Sequence, residues 1–527
     1  MPEFVTLNEA VSRIHDKMSL IVGGFGSYGS PEELLEGLAA RYEATGKPEN
    51  LTAICGITPG DKLESLEPGH GFNLGLNRLR AEGLIDTVLV GNLTDARAIA
   101  KMVGDNIIAG YIPPMGVVVN LFRSIAGGRP GFITKVGLGT FCDPRNEGCA
   151  VNERARKMGS IVELMEIDGE EYLFYKGFKP DVCFIRATYA DEDGNLSMDH
   201  EAMIGAELEI AAATHNSGGI VIAQVEDIVK KGSIHPKNVR IHGKLVDYVV
   251  KALNPDNHRQ CYAQPGYRPE LTGEIKTVSG AVKPLKMSLR KVIARRGAME
   301  LKPGIINIGS GIPSGIGSVA AEEGISGSMT MSVESGPIGG AVQEGLAFPG
   351  VANPEAIFSQ TDTLDMYDGG LLDMAFLGAA EIDEKGNVNV SKFAGRCIGA
   401  GGFINISQNT KKVFFMGSFT AGKPNIQITN DGLNIITDGS GAKFVNKVQQ
   451  ITFSGEYAIK SGQKIMYITE RAVFRLTPEG LVLIEIAPGV DLQKDILNKM
   501  EFAPIISSDL GTMDPRLFRE ERMGLGL

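Results

Sequence analysis

One turn occurs twice in this chain, 192 residues apart. Asp191-Glu192-Asp193-Gly194-Asn195-Leu196-Ser197 and Asp383-Glu384-Lys385-Gly386-Asn387-Val388-Asn389 carry the same turn chemistry, and the downstream runs Val221-Ile222-Ala223-Gln224-Val225 and Val413-Phe414-Phe415-Met416-Gly417 keep the offset. A second echo lies upstream of each. Gly23-Gly24-Phe25-Gly26-Ser27-Tyr28-Gly29-Ser30-Pro31 follows the strand-like Ser19-Leu20-Ile21-Val22, and Gly309-Ser310-Gly311-Ile312-Pro313 follows Gly304-Ile305-Ile306-Asn307-Ile308. Repetition of this kind predicts two similar tandem units, and apolar runs alternating with helical patterns make each an open α/β domain. A chain of 527 residues is also too long for one core. Between Asn254 and Lys286 the texture becomes polar and is punctuated by Asn254-Pro255, Gln264-Pro265-Gly266, Arg268-Pro269 and Lys283-Pro284. The expected organisation is an N-terminal α/β domain over 1–253, a linker over 254–286 and a second α/β domain over 287–527.

Composition narrows the function. A net charge of −11 argues against a nucleic-acid binder, which needs a broad basic face. No run reaches the length of apolar sequence that spans a bilayer, and the N-terminus lacks a basic region followed by an apolar core, so a cytoplasmic protein without a membrane partner is expected. The six cysteines form no CxxC pair, and buried free thiols are expected. There is no HExxH and no His/Cys cluster with zinc spacing, so no metal site is expected. All seven histidines, His70 among them, precede residue 259.

In chain order, Thr6-Leu7-Asn8-Glu9 reads as a capping box at a helix start. The loop after Val22 contains a literal GxGxxG at Gly24, Gly26 and Gly29, and Ser30-Pro31-Glu32-Glu33 predicts an N-cap followed by Pro at the first helical position. A nicotinamide site would also need an acidic residue at the end of the next strand. Leu51-Thr52-Ala53-Ile54-Cys55-Gly56 ends without one, which leaves a loop suited to an anionic or carbonyl group. The Walker-like Gly417-Ser418-Phe419-Thr420-Ala421-Gly422-Lys423 is excluded, because Pro424 stands where a magnesium-binding hydroxyl belongs. Asp199-His200-Glu201 reads as a solvated helix start, and the segment between Cys142 and Cys149 as a loop over a site or a plain surface loop.

The chemistry concentrates at Glu334. Met329 to Val333 alternates at period two, as a strand does, and Glu334-Ser335-Gly336-Pro337 ends it, which sets a carboxylate at a strand's carboxyl end beside glycine. Such a carboxylate is either a nucleophile or a solvated strand-end residue. Gly399-Ala400-Gly401-Gly402-Phe403 lies, at the 192 offset, opposite an ordinary helical stretch around Glu209 and Ile210, so the fold alone does not require it. Exposed N–H groups of Gly401 and Gly402 could form an oxyanion hole, or the cluster could serve a tight turn or close packing.

Several stretches together resemble the family I coenzyme A transferases, in particular the fused single-chain acetate/propionate group related to succinyl-CoA:3-oxoacid CoA-transferase. They are Ser332 to Gly340, Met366-Tyr367-Asp368-Gly369-Gly370, Asp383 to Phe393, Gly399 to Ile406, and Glu485 to Leu492; Val22 to Gly26 and Leu121-Phe122-Arg123 add to them. The resemblance covers essentially the whole chain and implies two tandem domains of the CoA-transferase type. It also implies that Glu334 attacks an acyl-CoA thioester, giving a mixed anhydride and then a glutamyl-CoA thioester, with a backbone N–H at or next to Gly401 holding the oxyanion. Transfer would be ping-pong between a short- or medium-chain acyl-CoA and a free carboxylate. No cofactor beyond CoA as substrate and covalent intermediate is implied, and a homo-oligomer, dimer or tetramer, is expected. Gly24, Phe25, Gly26, Met115, Gly309, Gly311, Gly369 and Gly370 are the further candidates for contact with CoA or substrate.

One departure stands out. Members of that family often carry Gln where this chain reads Ile112-Pro113-Pro114-Met115-Gly116, and Met115 cannot donate a hydrogen bond. Either another N–H replaces it or Met115 shapes the acyl pocket. The alternatives to an acetate/propionate-type enzyme are an acyl-CoA hydrolase using the same Glu, a 3-oxoacid CoA-transferase, and a non-catalytic binding protein on the same fold.

Overall fold

Eight parallel strands organise the N-terminal part of the computed structural model, which describes residues 1–61, 74–278 and 284–526. His70 and residues 279–283 of the expected linker lie outside the described residues. The strands are β1 (Glu3–Phe4), β2 (Ser19–Val22), β3 (Leu51–Cys55), β4 (Ile85–Val90), β5 (Ala109–Tyr111), β6 (Val182–Asp191), β7 (Ile220–Val229) and β8 (Tyr248–Lys251), in the spatial order β1-β8-β7-β6-β2-β3-β4-β5. Their side chains are almost wholly buried at Leu20, Ile21, Ala53, Val88, Phe184 and Ile222, as expected of strands covered on both faces. Helices α1 (Leu7–Ser12), α2 (Glu32–Thr45), α3 (Met115–Ala126) and α4 (Glu207–Asn216) belong to this part. The Thr6 capping box is present, with reciprocal bonds between Thr6 and Glu9. At α2 the cap position is Pro31, without a side-chain cap bond, because the Ser30 hydroxyl donates instead to the Glu32 carboxylate.

A second set follows: β9 (Gly304–Ile308), β10 (Met329–Met331), β11 (Met374–Gly378), β12 (Lys412–Met416), β13 (Lys464–Ile468), β14 (Ala472–Thr477), β15 (Gly480–Ile486) and β16 (Ile505–Thr512), in the order β10-β9-β11-β12-β13-β14-β15-β16. The duplication is visible in the sheets. β3-β2-β6-β7-β8 in the first and β10-β9-β11-β12-β13 in the second are parallel throughout and equivalent in order. The first sheet adds β4 and β5 outside β3, and the second adds the antiparallel β14 and β15 beyond β13. Helices α5 (Leu289–Ala298) and α6 (Gly315–Glu323) pack with Ile306, Met374 and Phe414 in the second core. Ser288 caps α5 through its side chain, as its position before Leu289 predicts.

The repeated turn is the same structure twice. Asp191 Oδ1 accepts the N–H groups of Asp193 and Asn195, and the Asn195 amide returns to Asp191 Oδ2. Asp383 does the same with Lys385 and Asn387. In each, the Asn carbonyl oxygen then accepts a glycine N–H, from Gly243 and Gly455.

The compact units do not follow the expected boundaries. One unit comprises Met1–Thr277, Glu334–Asp365 and Ala394–Gly402; the other comprises Val278–Val333, Met366–Phe393 and Phe403–Leu527. Residues 254–277 are part of the first unit rather than a free linker, because Cys261, Tyr262 and Leu271 are buried in it and the Tyr262 hydroxyl donates to Glu32. Glu334 likewise leaves the half in which the sequence places it. The helix α7 (Gln360–Asp368) carries one of the crossings between units.

Candidate functional site

The carboxyl ends of β2, β3, β4 and β5 each run into glycine or proline: Gly23-Gly24, Gly56, Gly91, and Pro113-Pro114 before α3. Strand order reverses around β2, whose neighbours are β3 and β6, and this is where open α/β sheets bind ligands. The strand ends are stitched to the 394–402 segment. The Met115 N–H donates to Gly401 O (3.2 Å), the Gly401 N–H to Gly91 O (2.9 Å) and the Gly91 N–H to Gly56 O (3.1 Å). Leu93 N–H adds a bond to Ile398 O at 2.7 Å. Gly91 is demanded by this approach, since a Cβ there would lie 2.2 Å from Gly56 O and 3.0 Å from Met115 Cα. Gly401 sits at φ +57°, the left-handed region that favours glycine.

The close-packing role of the glycine cluster is visible at Gly401. Gly401 spends its N–H on packing against Gly91. The Gly402 N–H makes no backbone hydrogen bond to another described residue.

Glu334 follows β10 by a short turn rather than ending a strand that reaches Val333, and it is half-buried. Its segment is bolted into the first unit at many points. Ser27 Oγ donates to Leu346 O (2.6 Å), the Tyr28 hydroxyl to Ala347 O (2.6 Å) and the Asn353 N–H to Glu270 O (2.8 Å). A two-residue ladder, Pro337 with Ile357 and Ile338 with Ala356, doubles the segment back, and the Phe358 N–H donates to Gly336 O (3.1 Å). Beyond it, Gln360 N–H donates to Gly205 O (3.0 Å). On α7, Asp362 and Asp365 grip Arg123 at 2.6 Å each, and Asn120 donates to Asp365 at 2.7 Å. Arg123 also bonds Glu209 of α4 at 3.0 Å.

The other expected residues fall in two groups. Gly24, Phe25 and Gly26 form a loop closed by reciprocal Phe25–Tyr28 backbone bonds, and Met115 opens α3 with its side chain fully buried. All four share the first unit with Glu334, Gly401 and Gly402. Gly309, Gly311, Gly369 and Gly370 belong to the second unit. There Gly309 N–H bonds Phe376 O (2.8 Å), and Gly370, at φ +88°, bonds Tyr367 O (2.9 Å) and closes the end of α7. Two residues of the first unit are not among the expected site residues. Glu207 is fully enclosed at the start of α4, where Oε1 accepts the Gly24 N–H (3.3 Å) and Oε2 has no hydrogen-bond partner among the described residues. Burial, together with the Glu201 and Glu209 carboxylates, pushes its pKa up to about 8. Gln360 is buried and its side-chain nitrogen has no partner among the described residues. Glu201 itself is no solvated helix start: it is buried and ion-paired with Arg186 at 3.0 Å.

The coenzyme A transferase family profile matches residues 4–252. The chain is 44% identical to the caffeate CoA-transferase of Acetobacterium woodii over 100% of this chain and 99% of that one. It belongs to the coenzyme A transferase family. The acetate CoA-transferase YdiF of Escherichia coli K12 is 42% identical over 99% of this chain and 96% of its own. The crystal structure of the acyl-CoA transferase YdiF of E. coli O157:H7 in a thioester complex with CoA superposes with a TM-score of 0.92, at 41% identity, over 100% of this chain and 98% of that one. The protein is accordingly a CoA-transferase, moving CoA between an acyl-CoA and a carboxylate. Glu334, the Gly401-Gly402 turn and the Gly24 loop of this CoA-transferase all belong to a single compact unit. Among the described residues no helix is long and apolar enough to cross a membrane.

Proposed function

We propose that the protein transfers CoA between a short- or medium-chain acyl-CoA and a free carboxylate through a glutamyl-CoA thioester on Glu334. The observation that carries this reading is the incorporation of the Glu334 segment into the unit that holds the Gly401-Gly402 turn, although the sequence places both in the other half. The thioester complex of the related E. coli enzyme supports it. In the first step a Glu334 carboxylate oxygen attacks the thioester carbonyl carbon, and the carbonyl π pair moves onto oxygen. Collapse expels CoA as thiolate and leaves a mixed anhydride. The thiolate then attacks the glutamyl carbonyl and the acyl group leaves as its carboxylate. An incoming acid reverses both steps, which makes the kinetics ping-pong. Each tetrahedral oxyanion accepts the Gly402 N–H, and exclusion of water preserves the activated acyl group.

Acetate and caffeate, the acids named for the two relatives, are the first acceptors to assay. The reading extends to a cytoplasmic homo-oligomer, dimer or tetramer. Ile505 and Ile506, 43% and 44% exposed on the outermost strand β16, suit an edge covered by a second copy, which light scattering on the purified protein would check.

The deciding experiment is intact-protein mass after incubation with acetyl-CoA alone, with a second aliquot treated with borohydride, which reduces a thioester to the alcohol and releases its CoA. A CoA-sized adduct on the wild type, absent from Glu334→Ala, is expected. Steady release of free CoA without an adduct would instead indicate hydrolysis.

A further inference from the structure

Met115 leaves the site one side-chain donor short, and the structure holds a candidate outside the expected site residues. Gln360 is 2% exposed, and its side-chain nitrogen makes no hydrogen bond to any described residue. A buried amide N–H left without a partner is disfavoured, so such a group calls for a ligand.

Its position is set from two directions. The hairpin that joins Gly336 to Phe358 leaves Glu334 two residues out on one side and Gln360 two residues out on the other. From the sheet side, the Gln360 amide lies beside Gly56: a Cβ on Gly56 would sit 3.7 Å from Gln360 Oε1 and 3.9 Å from Nε2. Gly56 is the end of the backbone chain that runs through Gly91 to Gly401. The donor therefore lies beside the Gly56 end of that backbone chain, on the arm of the hairpin opposite the one that leads to Glu334. Gly56 has to be glycine for this arrangement, because a Cβ there would also meet Val119 Cγ1 at 2.8 Å.

The mounting is rigid. Gln360 N–H is tied to Gly205, and the next turn of α7 is tied through Asp362 and Asp365 to Asn120 and Arg123 of α3, the helix that Met115 begins. A donor held this way needs no reorganisation when charge develops.

We infer that the Gln360 side-chain amide donates a hydrogen bond to the acyl oxygen that becomes anionic as Glu334 is acylated. The contribution replaces the donor that Met115 lacks and acts together with the Gly402 N–H. The inference rests on the Glu334 reading. In the step concerned, the Glu334 oxygen bonds to the acyl carbon, the carbonyl pair passes to oxygen, and the C–S bond then breaks to release thiolate. No proton is transferred, and Gln360 stabilises charge only.

The test uses the full chain with Gln360→Met, which keeps length and removes the donor, and Gln360→Glu, which keeps shape. Adduct formation with acetyl-CoA, steady-state kcat and KM, and Tm are measured for both and for Glu334→Ala. The expected result is a fall of about 10²-fold in kcat and in the rate of adduct formation, the usual effect of losing one oxyanion donor. KM for acyl-CoA is expected to stay within a few-fold and Tm close to wild type. A wild-type rate of adduct formation in a folded Gln360 variant overturns the inference and leaves Glu334 untouched. A lowered Tm with unchanged kcat in both variants overturns it too, since it assigns Gln360 a structural role. Absence of any adduct on the wild type overturns the Glu334 reading and this inference with it.

Discussion

Glu207 shows how a single residue can be stabilised and strained by the same surroundings. Its Oε1 is held by the Gly24 N–H, yet it is enclosed, and Glu201 and Glu209 oppose its ionisation. Arg123 and Arg186 face those two neighbours rather than Glu207. A carboxyl with a raised folded-state pKa contributes stability that is complete below its unfolded pKa, near 4.5, and is lost as pH climbs toward 8. Glu207→Gln keeps an acceptor for Gly24 and removes the titration. Its stability relative to wild type is expected to rise by about 1.4 kcal/mol per pH unit across that window and then level off. Denaturant unfolding of both proteins at pH 5, 7 and 8.5 would read it; a difference that does not change with pH would rule the idea out. Gly91 makes a simpler case. Gly91→Ala forces a Cβ to within 2.2 Å of Gly56 O, backbone that cannot swing aside, and should lower stability by about 1–3 kcal/mol while weakening the hold on Gly401.

At the level of elements, α3 and α7 are joined by charge. Arg123 bonds Asp362 and Asp365 of α7 and Glu209 of α4, so removing it leaves three carboxylates facing one another. The groups are partly exposed, which screens the pairs and limits their worth. Arg123→Met is expected to cost on the order of 1 kcal/mol in stability. Its effect on adduct formation should be larger than that figure alone suggests, because α7 positions Gln360; parallel measurement of Tm and adduct rate would separate the two. The repeated Asp–Gly–Asn turns, by contrast, read directly from the sequence, since the Asp carboxylate bonds that close them join residues no more than four apart. Strands β2 and β9 and helices α1 and α5 also lie where local pattern puts them. The cap of α2 does not, because Ser30 finds a partner in Glu32 that local preference for the N-cap does not reveal.

At the scale of the whole molecule, the two compact units are interleaved along the chain, with crossings after Thr277, Val333, Asp365, Phe393 and Gly402. A fragment starting at residue 287 keeps Glu334 but removes Ser27, Tyr28, Gly205, Arg268 and Arg123, to which the 334–365 segment is attached. Chymotrypsin should cut such a fragment at Leu346 or Phe358 at concentrations that leave those bonds intact in the full chain. Equal resistance of fragment and full chain would show that the segment holds its fold alone.

The sequence by itself determined the α/β class, the duplication, the turns and the type of chemistry, because each is written in periodicity, in residues a few positions apart, or in long agreement with a family. Where Glu334 belongs was decided only by tertiary structure. Its companions in the first unit, from Ser27 to Gly205 and Arg268, are far away along the chain, and neither the spare nitrogen of Gln360 nor the engaged N–H of Gly401 leaves a local trace. Burial and hydrogen-bond satisfaction are properties of the packed molecule, and they exist only once distant segments have met.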